Sequence, residues 1–240
     1  MTKISLKKPA DLSANTIESV FELHSGFFRN LDKKVFISDL LEKDFIIVSE
    51  DTGKPVAFST IKIHDENPFG ERTIFIFSGD TIVHPAYWSQ NILVPAFASF
   101  LRYMIDAYRD AKIYWYLITK GYRTYMFLPV LFKEFYPAPE WKTPSHIQAL
   151  IDYISAKRYG SRYLKDKGII SYYGDKDSLI DEMCEIPIAR RANRFIRYFL
   201  EKNPDFKQGD ELACLTQIVE SNIKPAGLKL LGYKGLRWEI

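Results

Sequence analysis

Residues 71–111 constrain the fold more than any other stretch. Thr73–Val83 (TIFIFSGDTIV) is a long apolar run of strand type, and His84–Asn91 (HPAYWSQN) is a short loop. From about Ile92 to Tyr108, residues Leu93, Phe97, Phe100, Leu101, Met104, Ile105 and Tyr108 recur at i, i+3, i+4, i+7, the stripe of an amphipathic helix. Lys112–Thr119 (KIYWYLIT) follows at once as a second strand. Strand, helix and strand in succession predict a β-α-β unit with a right-handed crossover. A helix entered through a tight loop also leaves backbone N–H groups free at its start, where phosphate and other anions bind.

The flanking segments fit around this unit. The first 43 residues are predicted helical, with Ile17, Val20, Phe21, His24 and Phe28 on one stripe and Val35, Ile37, Leu40 and Leu41 on a second. Phe45–Ser49 and Val56–Ile63 then form a hairpin about the turn Asp51-Thr52-Gly53-Lys54-Pro55. Tyr122–Phe132 is predicted helical. A further helix starts at Thr143-Pro144, with Thr as cap and Pro first in the helix, and ends at Gly160. Ile169–Tyr173 fits a strand. Ile188, Ala192, Phe195, Ile196 and Phe199 mark a helix stopped by Asn203-Pro204, with Arg190, Arg194 and Arg197 on its other face. Leu212–Val219 and Leu228–Leu231 fit either strand or helix.

Several classes of function are disfavoured. With 33 Lys and Arg against 30 Asp and Glu, the net charge of +3 does not call for nucleic acid, and no long basic run exists. Cys184 and Cys214 stand far apart, outside any CxxC and without His at metal spacing, so free thiols in a reducing compartment and no metal site are expected. The polar start MTKISLKKPADLS is unlike a secretion signal, and no apolar run nears the ~20 residues of a membrane span. A cytoplasmic protein is the expectation.

The order helix-helix-hairpin, then strand-loop-helix-strand-helix, over roughly residues 10–137 resembles the GNAT acyltransferase superfamily. Ile82-Val83-His84-Pro85-Ala86-Tyr87-Trp88 is similar to that family's strand end, hydrophobic-Val-x-Pro-x-Tyr-x. Lys120–Tyr125, Phe127-Leu128-Pro129 and Phe135-Tyr136-Pro137 are similar to stretches of GNAT-like proteins, some of which acylate peptide amines with fatty chains. The resemblance implies an α/β (α+β) fold with a mixed, mostly antiparallel sheet and flanking helices. Residues 1–140 would form the core and 141–240 a C-terminal extension packed on it. It implies transfer of an acyl group from a thioester to an amine of a peptide or small-molecule acceptor. The alternative is an inactive GNAT-like module that binds a ligand or protein.

In that family the donor lies along the splayed end of the central strand and the loop after it. Here those positions are Ile82, Val83, Ser89, Gln90, Asn91, Ile92 and Leu93, with Thr119 at the end of the second strand. Two glycines that hold a pyrophosphate in the family are Asn91 and Leu93 here, and Pro95 removes one N–H from the first turn. Acyl-CoA is therefore one expected co-substrate. The other is acyl-phosphopantetheine on a carrier protein, which brings a single phosphate; the Arg190/Arg194/Arg197 face would then dock the carrier.

Acyl transfer to an amine needs a proton acceptor, oxyanion donors and an acid for the departing thiol. By strict alternation Ser78, Asp80 and His84 share one strand face with Ile76 and Ile82. An Asp in an apolar strand is costly unless paired, so Asp80 and His84 are expected to act as a base. A bulge in the central strand, frequent in the family, would change which residues share that face. The family's thiol acid is a Tyr on the helix after the second strand; Tyr125 is the nearest match and Tyr122 stands one turn earlier. The family receives the acyl tail beside the second strand and the helix that follows. The resemblance puts Tyr114, Trp115, Tyr116, Tyr122, Tyr125, Met126, Phe127, Leu128, Val130, Leu131 and Phe132 there. That is more apolar and aromatic surface than a two-helix contact needs, and so implies a donor of medium or long chain.

Overall fold

The central strand, the helix after it and the returning strand form a parallel β-α-β unit at the bounds the sequence suggests. The computed structural model describes residues 2–90, 92–173 and 177–231. In chain order its elements begin with β1 (Lys3–Lys7), α1 (Ala14–Ser25), β2 (Phe28–Arg29), α2 (Lys33–Leu41), β3 (Phe45–Asp51) and β4 (Lys54–Glu66). The central unit follows as β5 (Thr73–Val83), α3 (Leu93–Ala107) and β6 (Lys112–Thr119). After it come α4 (Tyr122–Tyr125), α5 (Phe127–Leu131), α6 (Ser145–Tyr159), β7 (Tyr163–Leu164), β8 (Ile169–Ile170), β9 (Ser178–Leu179), α7 (Asp181–Cys184), α8 (Arg194–Lys202), β10 (Glu211–Gln217) and α9 (Pro225–Leu231).

Among the described residues, eight strands make one sheet in the order β1-β3-β4-β5-β6-β10-β8-β7. Only β5 and β6 run parallel within it; the other neighbours are antiparallel. The fold is thus α/β with a mixed, mostly antiparallel sheet. The β3–β4 hairpin turns through Thr52 (φ 50°) and Gly53 (φ 80°). Two consecutive positive φ values match the right-handed twist of the strands they join, and Gly adopts the second without strain.

Helices cover both faces. On one, α3 buries Leu93, Ala96, Ala98, Phe100, Leu101 and Met104 against Ile47, Ile61, Ile74, Ile76, Ile113, Trp115 and Leu117, joined by α5, α8 and α9. Each fully buried Leu, Phe or Met side chain there contributes about 1.5–3 kcal/mol. On the other face two groups stand apart: α1 and α2 over Ile46, Val48, Phe58 and Ile82, and α6 over Phe75, Phe77, Tyr114, Tyr116 and Leu215. The gap between these two groups lies above the end of β5.

Several local expectations are corrected. The first 43 residues are not all helical: Lys3–Lys7 adds an edge strand to β3, and Phe28–Arg29 pairs with Ser178–Leu179. Thr143 caps nothing; Pro144 is itself the cap of α6, and Ser145 begins the helix. Of Ile169–Tyr173 only Ile169–Ile170 is paired, because β10 offers Glu211 and Leu212 as partners there. The helix expected from Ile188 starts at Arg194, since the Asn193 side chain accepts from the N–H groups of Phe195 and Ile196 and so fixes its first turn. Arg190 therefore lies outside that helix. Where the sequence left strand or helix open, residues 211–217 are strand and 225–231 helix, and β10 sits between β6 and β8.

Candidate active site

The β5–β6 ladder runs from Thr73–Lys112 to Ser78–Leu117 and stops there. Beyond it the strands part. The end of β5 pairs outward with β4 (Ser59–Thr81, Phe58–Ile82, Ala57–Val83), while the end of β6 pairs outward with β10 (Ala213–Ile118, Leu212–Thr119). Each strand is held from its outer side, so a wedge opens between their inner edges.

A bulge helps to part them. On β4, Thr60 alone lies between Ser59 and Ile61, whereas on β5 Gly79 and Asp80 lie between Thr81 and Ser78. The extra residue reverses the alternation of β5 from that point. Gly79 fits because a Cβ there would come 2.4 Å from Thr60 Oγ1. Consequently Ile76, Ser78, Asp80, Ile82 and His84 do not share a face. Ile76 packs under α3, whereas Ile82 packs under α1 and α2.

The expected Asp80–His84 pair is corrected by this geometry. His84 is exposed at the start of the loop, and its Nδ1 accepts from the Ala86 N–H at 3.3 Å. Asp80 instead meets His24 of α1, with Nε2 and Oδ1 3.5 Å apart. His24 is 3% exposed, and neither ring nitrogen makes a hydrogen bond. Its ring stacks on Phe28 at 4.5 Å and tilts against Phe36 at 4.8 Å. The sequence carried one signal of this: His24 is the polar member of the apolar stripe of α1.

A cleft of about 820 Å³ occupies the wedge. Of the expected donor-binding residues, Ile82, Val83, Ile92, Leu93 and Thr119 line it. Ser89 and Gln90 are exposed outside its lining, and Asn91 lies outside the described residues. His24 and Asp80 line it on one side; Lys120, Arg158 and Asp177 lie along the same cleft. Lys120 Nζ donates to Asp177 Oδ2 at 2.6 Å, so this buried ammonium is neutralised locally. At the mouth, Trp88 Nε1 donates to the Val83 carbonyl at 2.7 Å, and Arg123 Nη1 to the Met183 carbonyl at 2.7 Å. Among the described residues the α3 start has no side-chain cap, and Pro95 in its first turn contributes no N–H.

A second, narrower cavity of about 70 Å³ opens off the wedge toward α3, α5 and α9. Ser78, Thr81, Leu93, Val94, Thr124 and Phe127 border both spaces. Apart from Ser59, whose hydroxyl pairs with that of Thr81 at 2.8 Å, and Gly227, its remaining walls are apolar: Phe97, Ala98, Leu101, Trp115, Leu131, Phe132, Ile223, Leu230 and Leu231. Trp115 Nε1 donates to Ser78 Oγ at 2.9 Å, which leaves the indole nitrogen satisfied at the apex. Tyr114 and Tyr116, expected near this space, face α6 on the opposite side of the sheet.

Tyr125 is corrected as the thiol acid. Its ring is fully buried among Phe135 and Phe199, its hydroxyl donates to the Pro137 carbonyl at 2.8 Å, and burial drives its pKa far above the usual phenol value. Tyr122 lines the cleft instead, 1% exposed, its hydroxyl without a hydrogen-bond partner. Residues 122 and 125 are three apart on one helical turn, so spacing alone does not say which one meets the wedge. Cys184 and Cys214 are both free and buried, and burial raises both thiol pKa values. Among the described residues, no group of three or more His, Cys, Asp or Glu could hold a metal ion, and no helix is long and apolar enough to cross a membrane.

No family model matches the chain, and no curated protein matches it. Among solved structures, it resembles an acyl-CoA N-acyltransferase from Pseudomonas aeruginosa (14% identity, TM-score 0.39, 50% of this chain and 80% of that one). It also resembles a conserved protein of unknown function from Enterococcus faecalis V583 (12%, 0.42, 56% and 33%). A third is a GNAT family N-acetyltransferase from Escherichia coli in complex with CoA (15%, 0.37, 50% and 62%). The chain thus spans a third of the second and under two thirds of the third. These likenesses are partial and distant, and what the wedge can do follows from its own geometry.

Proposed function

We propose that this chain is an N-acyltransferase of GNAT type. It would move an acyl group of medium or long chain from a thioester, acyl-CoA or acyl carrier protein, to an amine of a peptide or small molecule. The carrying observation is the wedge beyond Ser78–Leu117, open to a wide cleft and continuous with an apolar cavity. An extended pantetheine arm would lie between the inner edges at Ile82–Val83 and Thr119, where the Val83 carbonyl now accepts from Trp88 Nε1 and the Thr119 carbonyl from Asn203 Nδ2. A phosphate would meet the start of α3 and Arg123. The thioester then lies near Ser78, with the tail in the apolar cavity and the amine arriving from the His24–Asp80 side. The amine nitrogen bonds to the carbonyl carbon, the C–S bond breaks with its electron pair on sulfur, and the nitrogen's proton is passed on. Tyr122, whose unbonded hydroxyl belongs to the cleft lining, would relay a proton from the nitrogen to the sulfur.

Each CH₂ that enters the cavity contributes about 0.8 kcal/mol, which an acetyl group cannot use. The test is thiol release per donor concentration for thioesters from acetyl to palmitoyl, with one amine held constant. A rise to a maximum at eight or more carbons is expected; a preference for acetyl would sink the long-chain reading. A second reading, an inactive module, is favoured by the altered loop at Leu93 and Pro95. Retention of the thioester without thiol release would select it.

A further inference from the structure

The wedge has an acceptor side as well as a donor side, and a histidine stands on it. The bulge turns Asp80 away from the apolar cavity and toward α1, where its Oδ1 lies 3.5 Å from His24 Nε2. Phe28, Phe36 and Phe58 surround the imidazole, with centroids 4.5, 4.8 and 6.3 Å from its own. A buried ring whose nitrogens make no hydrogen bond costs the fold stability. Packing alone is served as well by a fourth Phe. The ring is shielded on its faces and borders the cleft beside a carboxylate, an arrangement suited to holding a proton briefly.

We propose that His24 is the proton acceptor for the amine and that Asp80 positions and stabilises its protonated ring; the assignment rests on the acyl-transfer reading. The ammonium gives one proton to His24 Nε2, and the nitrogen lone pair so freed forms the C–N bond. The C–S bond then breaks, the nitrogen sheds a second proton, and that proton neutralises the thiolate. Asp80 from β5 faces the ring, while Phe28, Phe36 and Phe58 present no charge. Asp39 and Lys43 line the cleft nearby as a mutually neutralising pair. With Asp32 and Asp80 also on this side, the acceptor class is a primary amine that arrives as its cation.

The experiment uses octanoyl-CoA and phenethylamine with the full chain, comparing wild type, His24→Gln and Asp80→Asn. At pH 7 the amine-dependent rate should fall about 100-fold or more in His24→Gln, the usual size of a lost general base. Octanoyl-CoA affinity should stay within about twofold, since the base touches the amine and not the donor. Above the amine's own pKa, where it arrives neutral, most of the loss should be recovered. Asp80→Asn, which preserves volume, should show a smaller loss with the same recovery, and it serves if His24→Gln does not fold. A loss equal at every pH, or an unchanged rate at pH 7, overturns the assignment alone. Wild-type protein that releases no thiol from any acyl thioester overturns the acyl-transfer reading and the assignment with it.

Discussion

The Arg123 guanidinium lies 5.6 Å from the centroid of the Trp88 ring, so the loop after β5 and the helix after β6 touch across the open end of the wedge. Both side chains are also anchored, Trp88 to the Val83 carbonyl and Arg123 to the Met183 carbonyl. An exposed cation–π contact contributes about 0.5–1 kcal/mol, enough to bias the mouth and too little to lock it.

Arg123→Ala should therefore weaken binding of phosphate-bearing donors about tenfold and flatten their salt dependence, while a pantetheine thioester without phosphate binds almost as before. Titration calorimetry at two salt concentrations checks this. Equal weakening of both donors would remove Arg123 from phosphate recognition.

Narrowing the apolar cavity should shorten the preferred chain. Ala98 is 7% exposed on its wall, and Ala98→Leu fills space without new polarity. The rate maximum across the thioester series should move by two or more carbons toward acetyl, with the acetyl rate itself nearly unchanged. A uniform drop at all lengths would mean that the cavity does not receive the tail.

The bulge predicts a stability effect. Gly79→Ala places a Cβ against Thr60 Oγ1, and such overpacking costs about 1–3 kcal/mol. Thr60→Ala in the same chain should recover part of it. Urea midpoints for the two single variants and the double variant measure the coupling. Additive losses would place the strain elsewhere.

His64 gives a pH signature. Burial first, then the neighbouring Arg158 guanidinium, lowers its pKa from 6.5 to about 4. Between those values the unfolded chain binds more protons than the folded one. Stability is full above pH 6.5 and falls as pH drops toward 4. His64 is half-buried, so after solvent screening the loss is on the order of 1–2 kcal/mol. Denaturation curves at pH 7 and pH 5 should differ less for His64→Gln than for wild type. Equal differences would show that His64 is not the group that titrates.

The fold was legible where residues of one kind run long enough to declare a period. Thr73–Val83 and Lys112–Thr119 are apolar over most of their length, and their bounds appear as expected. Lys3–Lys7 is short and half polar, and its pairing with Phe45–Asp51 depends on a neighbour some 40 residues away. For Leu212–Val219, burial on both faces erases the alternation that separates strand from helix. Within the site, Asp80 stood out as a charge in an apolar run. Its partner did not, because a one-residue bulge between Gly79 and Asp80 has no fixed sequence mark and reverses every later side chain. His24 was masked in turn by its place in an apolar stripe, which argues for core packing.

The central place of β10 also bears on how the chain is made. Thr119 of β6 pairs with Leu212, about 90 residues later. At bacterial-to-eukaryotic synthesis rates of ~5–20 residues per second, β6 waits roughly 5–20 s on the ribosome for its outer neighbour. Meanwhile Tyr114, Trp115, Tyr116 and Leu117, all buried at the end, form an uncovered edge of the kind that recruits other strands. That interval leaves the nascent chain open to mispairing at this edge. Damage to β10 should accordingly be felt first as lost soluble yield in the cell, before any catalytic constant changes.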